Sequence, residues 1–147
     1  MRICVDTTIL IDILKDEFRD FQSKLYNAMK NGEELKSSTV VYADLVPQFK
    51  ANLKLLDEFL SEHKITIEPL DKISAATSAA AWMKYLRKKT KIQCPGCGTE
   101  IKIKQRFLSD FYIGGFAVTR CDAILTRDRG IYKKYFPDLP GYDGCLK

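Results

Sequence analysis

The sequence predicts an α/β fold in which helices cover both faces of a central parallel sheet. Short apolar segments alternate along the chain with longer segments whose apolar residues recur every three or four positions. This alternation is typical of strands and helices arranged in a parallel sheet. Aspartates follow two of the apolar segments, one directly and one after a single residue, as expected where strand ends form a site. A chain of 147 residues with 46% hydrophobic content is sufficient for a single domain over residues 1–147.

The first half of the chain is predicted to contain three strands and four helices. Phe21, Leu25 and Met29 recur at helical spacing. Ser38 directly precedes an apolar run and is a good capping residue, while Pro47 is expected to bend the helix that contains it. The expected strands are Arg2–Val5, Leu35–Ser37 and Ile65–Glu68, and the expected helices are Thr7–Leu14, Asp16–Lys30, Thr39–Phe49 and Leu53–His63.

The second half is predicted to contain a long helix, an inserted hairpin, a second helix, a buried strand and a short helix. The hairpin, at about 91–105, contains the turn sequence CPGCG. Gly114 and Gly115 lie inside the helix that follows it, where we expect them to allow close packing, since no glycine-rich phosphate loop is present. The expected elements are the helices Asp71–Lys88, Ser109–Arg120 and Ile131–Phe136 and the strand Ala123–Thr126.

Four aspartates lie at positions where an uncompensated carboxylate is costly. Asp6 and Asp128 follow predicted strands, Asp44 lies among apolar helix residues, and Asp110 opens a predicted helix. The carboxyl ends of parallel strands meet at one edge of the sheet, so Asp6 and Asp128 are expected to lie there together. Converging carboxylates favour a divalent cation, and Mg²⁺ and Mn²⁺ prefer such oxygen ligands. Taken singly, Asp44 and Asp110 also fit helix-dipole or capping roles, and Asp128 fits an ordinary turn.

Four segments of the sequence, in this order, resemble the PIN-domain family: VDTTILIDIL, SSTVVYADLV, SDFYIGGFAV and CDAILTRDRGIYKKYFPDL. The resemblance extends over nearly the whole chain and implies a PIN-like three-layer α/β/α sandwich with a central parallel sheet. PIN domains are metal-dependent ribonucleases, and many small prokaryotic members are VapC-type toxins of toxin–antitoxin pairs. The resemblance therefore implies a metal-dependent endoribonuclease that hydrolyses RNA phosphodiester bonds, with an antitoxin as partner and a homodimer as the assembly.

The resemblance also implies a role for each of the four acids. Asp6, Asp110 and Asp128 match the acids that hold Mg²⁺ or Mn²⁺ in the family. Asp44 stands where the family usually has glutamate, and it is one methylene shorter, so a contact through water is expected. All four positions keep an acid, which favours an active enzyme.

Three hydroxyl residues match positions that support the site in the family. Thr8 falls where the family often has asparagine, and Thr126 falls where a hydroxyl often assists the site. Ser38 matches a serine that often precedes the second helix. The resemblance implies that these three side chains support the acidic site.

Basic residues are concentrated between Lys84 and Arg106. This segment holds eight basic residues and one acid, a charge of +7, although the whole chain carries only +5. Such a concentration favours a polyanionic partner, and RNA is the expected one. The alternative is a solvated, lysine-rich helix end and hairpin. The residues expected to bind nucleic acid are Lys88, Lys89, Lys91, Lys102, Lys104 and Arg106.

The CPGCG turn places Cys94 and Cys97 at the spacing of one arm of a zinc site. No second C-x-x-C is present, so the remaining ligands would come from Cys121, from Cys145 or from the same pair in a second subunit. A turn that has lost its metal and a redox-active pair are the alternatives. We expect Cys4 to lie in the core, and core packing is also the favoured interpretation of Cys121.

The acids near the start of the chain exclude a signal-peptide core, and no apolar run reaches the roughly 18 residues that a membrane helix needs. A cytoplasmic protein without membrane contact is therefore expected. The sequence leaves open a metal-dependent endoribonuclease, either a toxin or a processing or quality-control nuclease without an antitoxin, and a non-catalytic nucleic-acid-binding zinc-knuckle module on a PIN-like scaffold. The acids favour the first, because a binding module gains nothing from carboxylates placed near RNA phosphates.

Overall fold

A four-stranded parallel sheet forms the centre of the computed structural model, which describes residues 1–88, 92–101 and 108–147. The strands are β1 (Arg2–Val5), β2 (Glu34–Ser38), β3 (Ile65–Glu68), β4 (Ile92–Gln93), β5 (Glu100–Ile101) and β6 (Ala123–Leu125). The helices are α1 (Thr7–Lys15), α2 (Arg19–Lys30), α3 (Thr39–Leu45), α4 (Leu53–Glu62), α5 (Lys72–Lys88), α6 (Leu108–Arg120) and α7 (Arg129–Tyr135). The central sheet has the order β3-β2-β1-β6, and β4 pairs with β5 in a separate antiparallel hairpin.

The strand order places helices on both faces of the central sheet. The chain places β2 on one side of β1 and β3 beyond β2. The connection from β3 to β6 then crosses the sheet in the opposite direction and places β6 on the other side of β1. Because such crossovers are right-handed, α1 and α2 lie on one face and α5 and α6 lie on the other. The predicted α/β class with a central parallel sheet is confirmed.

The core lies between the sheet and these helices. Ile3 and Val5 of β1 and Leu25 of α2 are fully buried, as are Phe111 and Phe116 of α6. Removing this apolar surface from water is the main driving force for folding. The run of buried apolar residues in β6 is what a strand covered on both faces requires.

Two predicted helices differ from the observed ones by three or more residues at one end, and the others differ by one or two residues. The helix expected from Asp16 begins at Arg19, because Asp16 adopts a left-handed backbone (φ 50°) that caps α1. The helix expected up to Phe49 ends at Leu45 and continues as a 3₁₀ turn over Val46–Phe49, since Pro47 lacks the N–H that an α-helix needs there. The predicted Ser38 cap is confirmed: the Val40 amide donates to Ser38 Oγ at 3.3 Å.

The C-terminal segment pairs in parallel with β6 at Gly141, and its last residues lie at the amino edge of the sheet. The Tyr142 amide donates to the Ile124 carbonyl at 2.8 Å, and the Asn31 side chain donates to the Cys145 carbonyl at 2.8 Å. Lys147 forms an ion pair with Glu33 at the start of β2. The last residues therefore lie at the edge opposite to Asp6 and Asp128.

Gly115 lets α6 approach α5 as closely as the sequence predicted. A Cβ atom at this position would lie 1.9 Å from Ser78 Oγ, 2.7 Å from the Ser74 carbonyl oxygen and 2.8 Å from the Ser78 amide nitrogen. Two of these three atoms are backbone and cannot rotate away. The contact therefore requires glycine.

We expect Gly115→Ala to lower the free energy of unfolding by about 2–3 kcal/mol, because overpacking pushes the two helices apart. Chemical denaturation measures this change. Gly141→Ala is the matched control, since no atom lies within 4 Å of its added Cβ. Equal stability of the two variants would contradict the close packing.

No helix in the described ranges is both long and apolar enough to cross a membrane.

Candidate functional site

Two parallel strands bring their following residues together at the carboxyl edge of the sheet. Val5 of β1 is in register with Leu125 of β6, and the Asp6 amide donates to the Leu125 carbonyl at 3.0 Å. Asp6 therefore lies beside Thr126, and Asp128 follows two residues later. The structure thus brings both strand-end acids to the same edge, as their positions in the sequence predicted.

Asp6 is a buried carboxylate, only 3% exposed, and both of its oxygens accept hydrogen bonds. Oδ1 accepts from the Thr7 amide at 2.8 Å, which makes Asp6 the N-cap of α1. Oδ2 accepts from the hydroxyls of Thr126 at 2.6 Å and Thr8 at 3.0 Å. The Tyr132 phenol lies 3.5 Å from Oδ1. These donors fix the orientation of the carboxylate relative to both strands.

Burial is the main reason why the pKa of Asp6 is raised to about 6, and the charge of Asp110 raises it further. The hydroxyls of Thr126 and Thr8 and the Thr7 amide oppose this effect. Ionised Asp6 therefore destabilises the folded state, because the hydrogen bonds compensate only part of the cost of burying its charge.

This raised pKa predicts the pH dependence of stability. In the absence of metal, Asp6 favours the folded state most below about pH 4, and this contribution is lost as the pH rises through about 6. The difference between the folded and unfolded pKa values corresponds to roughly 3 kcal/mol. We expect urea unfolding in a chelator to show this decline between pH 4 and 6.5 and Asp6→Asn to lack it. An identical pH profile in both proteins would contradict the assignment.

Asp44 is linked to Asp6 through Thr7. The Thr7 hydroxyl donates to Asp44 Oδ2 at 3.0 Å, while the Thr7 amide donates to Asp6. Asp44 lies in α3, and burial raises the pKa of this carboxyl. The sequence interpretation selected Thr8 and overlooked Thr7; the only signal for Thr7 was its position directly after a strand-end acid.

Asp110 and Asp128 complete the acidic group from two other elements. Asp110 lies in the first turn of α6, and Asp128 directly precedes α7, with both side chains at intermediate exposure. The Asp128 amide donates to Thr126 Oγ1 at 3.0 Å, which ties it to the hydroxyl that also contacts Asp6. Burial raises the pKa of Tyr132 well above its usual range, and the charges of Asp6, Asp110 and Asp128 raise it further. This phenol was not identified from the sequence.

The predicted supporting residues lie in two different places. Thr8 and Thr126 contact Asp6 directly. Ser38 is 1% exposed and caps α3, the helix that carries Asp44. Ser38 therefore stabilises the start of α3, whereas Thr8 and Thr126 donate hydrogen bonds to the Asp6 carboxylate itself.

An ion pair beside this group, between buried Asp12 and Arg127, whose side chain is 34% exposed, was also not identified from the sequence. Asp12 of α1 is only 1% exposed. It accepts from Arg127 Nε at 3.0 Å and from Arg127 Nη2 at 3.2 Å. The guanidinium carbon also lies 4.0 Å from the centre of the Phe18 ring. The pair holds the loop between Thr126 and Asp128 against α1.

Oxygen donors of this kind suit a hard divalent cation. Asp6, Asp110 and Asp128 supply only carboxylate oxygens, which are the ligands that Mg²⁺ and Mn²⁺ prefer. The raised pKa of Asp6 shows a cost that a cation would remove. Within the described residues, no three His, Cys, Asp or Glu side chains are grouped tightly enough to hold a metal ion as they stand. The chemistry of the donors therefore fits a metal, although their side chains would have to close around it.

The predicted nucleic-acid contacts are only partly described by the structure. Lys88 lies exposed at the end of α5. The other five predicted contacts, namely Lys89, Lys91, Lys102, Lys104 and Arg106, lie outside the described residues. The basic segment begins at the end of α5 and leads into the start of α6, which carries Asp110.

Comparison with known proteins gives similarity in structure only. No protein-family model matches the sequence, and no curated protein matches it significantly. A chain in VapBC2 from Rickettsia felis bound to a DNA fragment from their promoter aligns with a TM-score of 0.67 and 18% identity, covering 95% of this chain and 96% of that chain. Chains in DNA-bound VapBC from Salmonella typhimurium (TM-score 0.67, 16% identity, 99% of each chain) and in FitAcB from Neisseria gonorrhoeae (0.65, 18%, 97% of each chain) are also similar.

Proposed function

Because the chain has a VapC-like PIN fold, we propose that it is a metal-dependent endoribonuclease that hydrolyses RNA phosphodiester bonds. One observation carries this proposal: hydrogen bonds connect acids from separate elements at one sheet edge. Thr126 joins Asp6 to the backbone of Asp128, and Thr7 joins Asp6 to Asp44. A structural role alone gives no reason to gather carboxylates that disfavour one another's ionisation.

In this proposal Asp6, Asp110 and Asp128 hold Mg²⁺ or Mn²⁺, and Asp44 assists from a second position. A bound divalent ion supplies Lewis-acid stabilisation of the phosphate and activation of water. Thr8 and Thr126 orient the carboxylate of Asp6 by donating to its Oδ2 atom. Thr7 keeps Asp44 at a fixed distance from Asp6 with its hydroxyl and amide. Preorganised donors of this kind avoid reorganisation when charge develops.

The basic segment would hold the RNA backbone at this edge. Its +7 charge attracts phosphates that the acidic group alone would repel. Lys88 would act together with Lys89, Lys91, Lys102, Lys104 and Arg106. Contacts to the phosphate backbone position a nucleic acid without reading its sequence. The substrate proposed here is therefore RNA as a class, without a particular sequence.

End-labelled single-stranded RNA tests this function. We expect the purified chain to cut it in Mn²⁺ or Mg²⁺ and to leave it intact in a chelator. Asp110→Asn and Asp128→Asn are each expected to slow cutting about 10²-fold or more, because each loses a charged oxygen at the metal. Asp20→Asn, an exposed acid of α2, is the matched control and should cut at the wild-type rate.

Two outcomes would contradict the proposal. Cutting that persists in the chelator or in both variants would indicate a contaminating nuclease or another site. RNA binding without cutting in either metal would favour the non-catalytic binding module on the same scaffold.

A toxin of a toxin–antitoxin pair is the proposed biological context. The similar solved structures are VapBC complexes and the FitAcB structure, which supports a small antitoxin protein as partner. The five free thiols support a reducing compartment, and we propose the cytoplasm. Expression of the chain alone should arrest growth, and co-expression of an adjacent small open reading frame should relieve the arrest. Normal growth under strong expression of an RNA-cutting chain would instead favour a housekeeping nuclease.

A further inference from the structure

The CPGCG turn is the tip of a small, well-defined hairpin. β4 and β5 pair through Gln93 and Glu100, and the Cys94 amide donates to the Thr99 carbonyl at 2.8 Å. The Gly98 amide then donates to the Cys94 carbonyl at 2.9 Å, with Gly98 in the left-handed region at φ 71°. This backbone brings the chain back within five residues, so both cysteines lie on one turn.

The hairpin holds the Cys97 thiol against the Thr99 side chain. The Cys97 thiol donates to Thr99 Oγ1 at 3.1 Å. The Cys94 thiol is within hydrogen-bond reach of the Cys97 thiol, so the two sulfurs can bind one metal ion, which takes cysteine as the thiolate.

Within the described residues, the chain cannot complete a four-ligand site around this pair. Cys121 is 8% exposed and hydrogen-bonds Cys4 in the core. The Cys145 backbone is tied to Asn31 at the amino edge of the sheet. That edge lies at the far end of α6, whose 13 residues span about 20 Å.

The single histidine is also engaged elsewhere. His63 Nδ1 lies 2.7 Å from the Phe59 carbonyl oxygen, and its ring lies 4.5 Å from the Phe59 ring. It closes α4, on a different part of the molecule from the hairpin. A closed zinc site with four cysteine or histidine ligands therefore needs ligands from outside this chain.

We propose that Cys94 and Cys97 of two copies of this chain together hold one zinc ion. With a two-fold axis through the metal, each chain contributes its Cys94 and Cys97. The two copies of the C-x-x-C motif together supply the four ligands. Binding displaces the thiol protons, and Zn²⁺ with four thiolates carries a net charge of −2. That charge offsets the repulsion between two basic segments, each with Lys84, Arg87 and Lys88 exposed at the end of α5.

This site would bring two basic segments, and two acidic edges, to either side of one metal. The inference is independent of the proposed nuclease activity, because the zinc site contains none of the four aspartates. Zinc would hold the pair of chains together, whereas Mg²⁺ or Mn²⁺ would bind at the sheet edges.

Zinc content and molar mass, measured on the same untagged full-length protein, test the proposal. We expect about 0.5 zinc ions per chain and a particle of twice the 16.8 kDa chain mass. A strong chelator should remove the zinc and return the mass to one chain. Refilling with Co²⁺ should give the intense visible absorption of a tetrahedral thiolate site, which neither Mg²⁺ nor Mn²⁺ gives.

Matched variants locate the site. Cys94→Ser and Cys97→Ser should each lose the zinc and the dimer mass, while circular dichroism confirms that the domain remains folded. Cys145→Ser, another exposed cysteine, should retain both, and so should Asp6→Asn. One zinc ion per chain, no zinc, a single-chain mass with zinc bound, or zinc that survives in Cys94→Ser would each overturn the proposal. A Cys94–Cys97 disulfide in protein purified without oxygen would overturn it in favour of a redox pair.

Discussion

Asp6→Asn is expected to reduce RNA cleavage about 10³-fold without lowering the stability of the fold. The loss of activity follows because the amide lacks the charge that attracts a divalent ion, and the other acids cannot replace it. The fold is retained because asparagine fills the same space and still accepts from the Thr7 amide. The hydroxyls of Thr8 and Thr126, which donate to the carboxylate, can instead accept from the new amide group.

The stability measurement separates this result from simple unfolding. At neutral pH in a chelator, we expect Asp6→Asn to be as stable as the wild type or more stable, because the buried charge is gone. Cleavage rate and urea midpoint are measured on the same preparation, with Asp20→Asn as the exposed control. A variant that loses activity and stability together would indicate that Asp6 is structural, and one that keeps its activity would remove it from the site.

Arg127→Met is expected to lower the free energy of unfolding by about 3–5 kcal/mol. The change leaves the Asp12 carboxylate, which is 1% exposed, without its bidentate partner in an apolar environment. Breaking a buried ion pair from one side is far more costly than removing both charges. Methionine keeps most of the side-chain volume over the Phe18 ring. The loss of stability therefore comes from the missing charge and not from a cavity. Chemical denaturation measures the change.

Two controls make this prediction specific. The double variant Asp12→Leu with Arg127→Met should recover most of the lost stability, because no unpaired buried charge remains. Arg2→Met removes another arginine–aspartate pair, with Asp122, whose two side chains are 48% and 45% exposed. An exposed pair is worth about 0–1 kcal/mol, so this variant should change little. A double variant as unstable as the single one would show that Arg127 stabilises the loop by packing alone.

Much of the fold was predictable because the controlling signals are local. Strand Arg2–Val5 and the capping role of Ser38 follow from a few neighbouring residues, and both were predicted correctly. The helix ends were less predictable, because Asp16 ends α1 with a left-handed backbone conformation that aspartate adopts only occasionally. The close contact at Gly115 was predictable in kind, although its partners Ser74 and Ser78 are about 40 residues away.

The sequence by itself determined the class of the fold and the edge at which Asp6 and Asp128 meet, because the order of strands and helices fixes where strand ends lie. Only the tertiary structure decided how the acids are held. The Thr7 bridge to Asp44, the Asp12–Arg127 pair and the Tyr132 phenol join residues that are 37, 115 and 126 positions apart. The periodicity of apolar side chains shows which face of a helix or strand is buried. It does not show which polar side chains from distant parts of the chain will pair with each other. Those pairings depend on the burial of charge in a packed interior, where an unpaired carboxylate is too costly to remain.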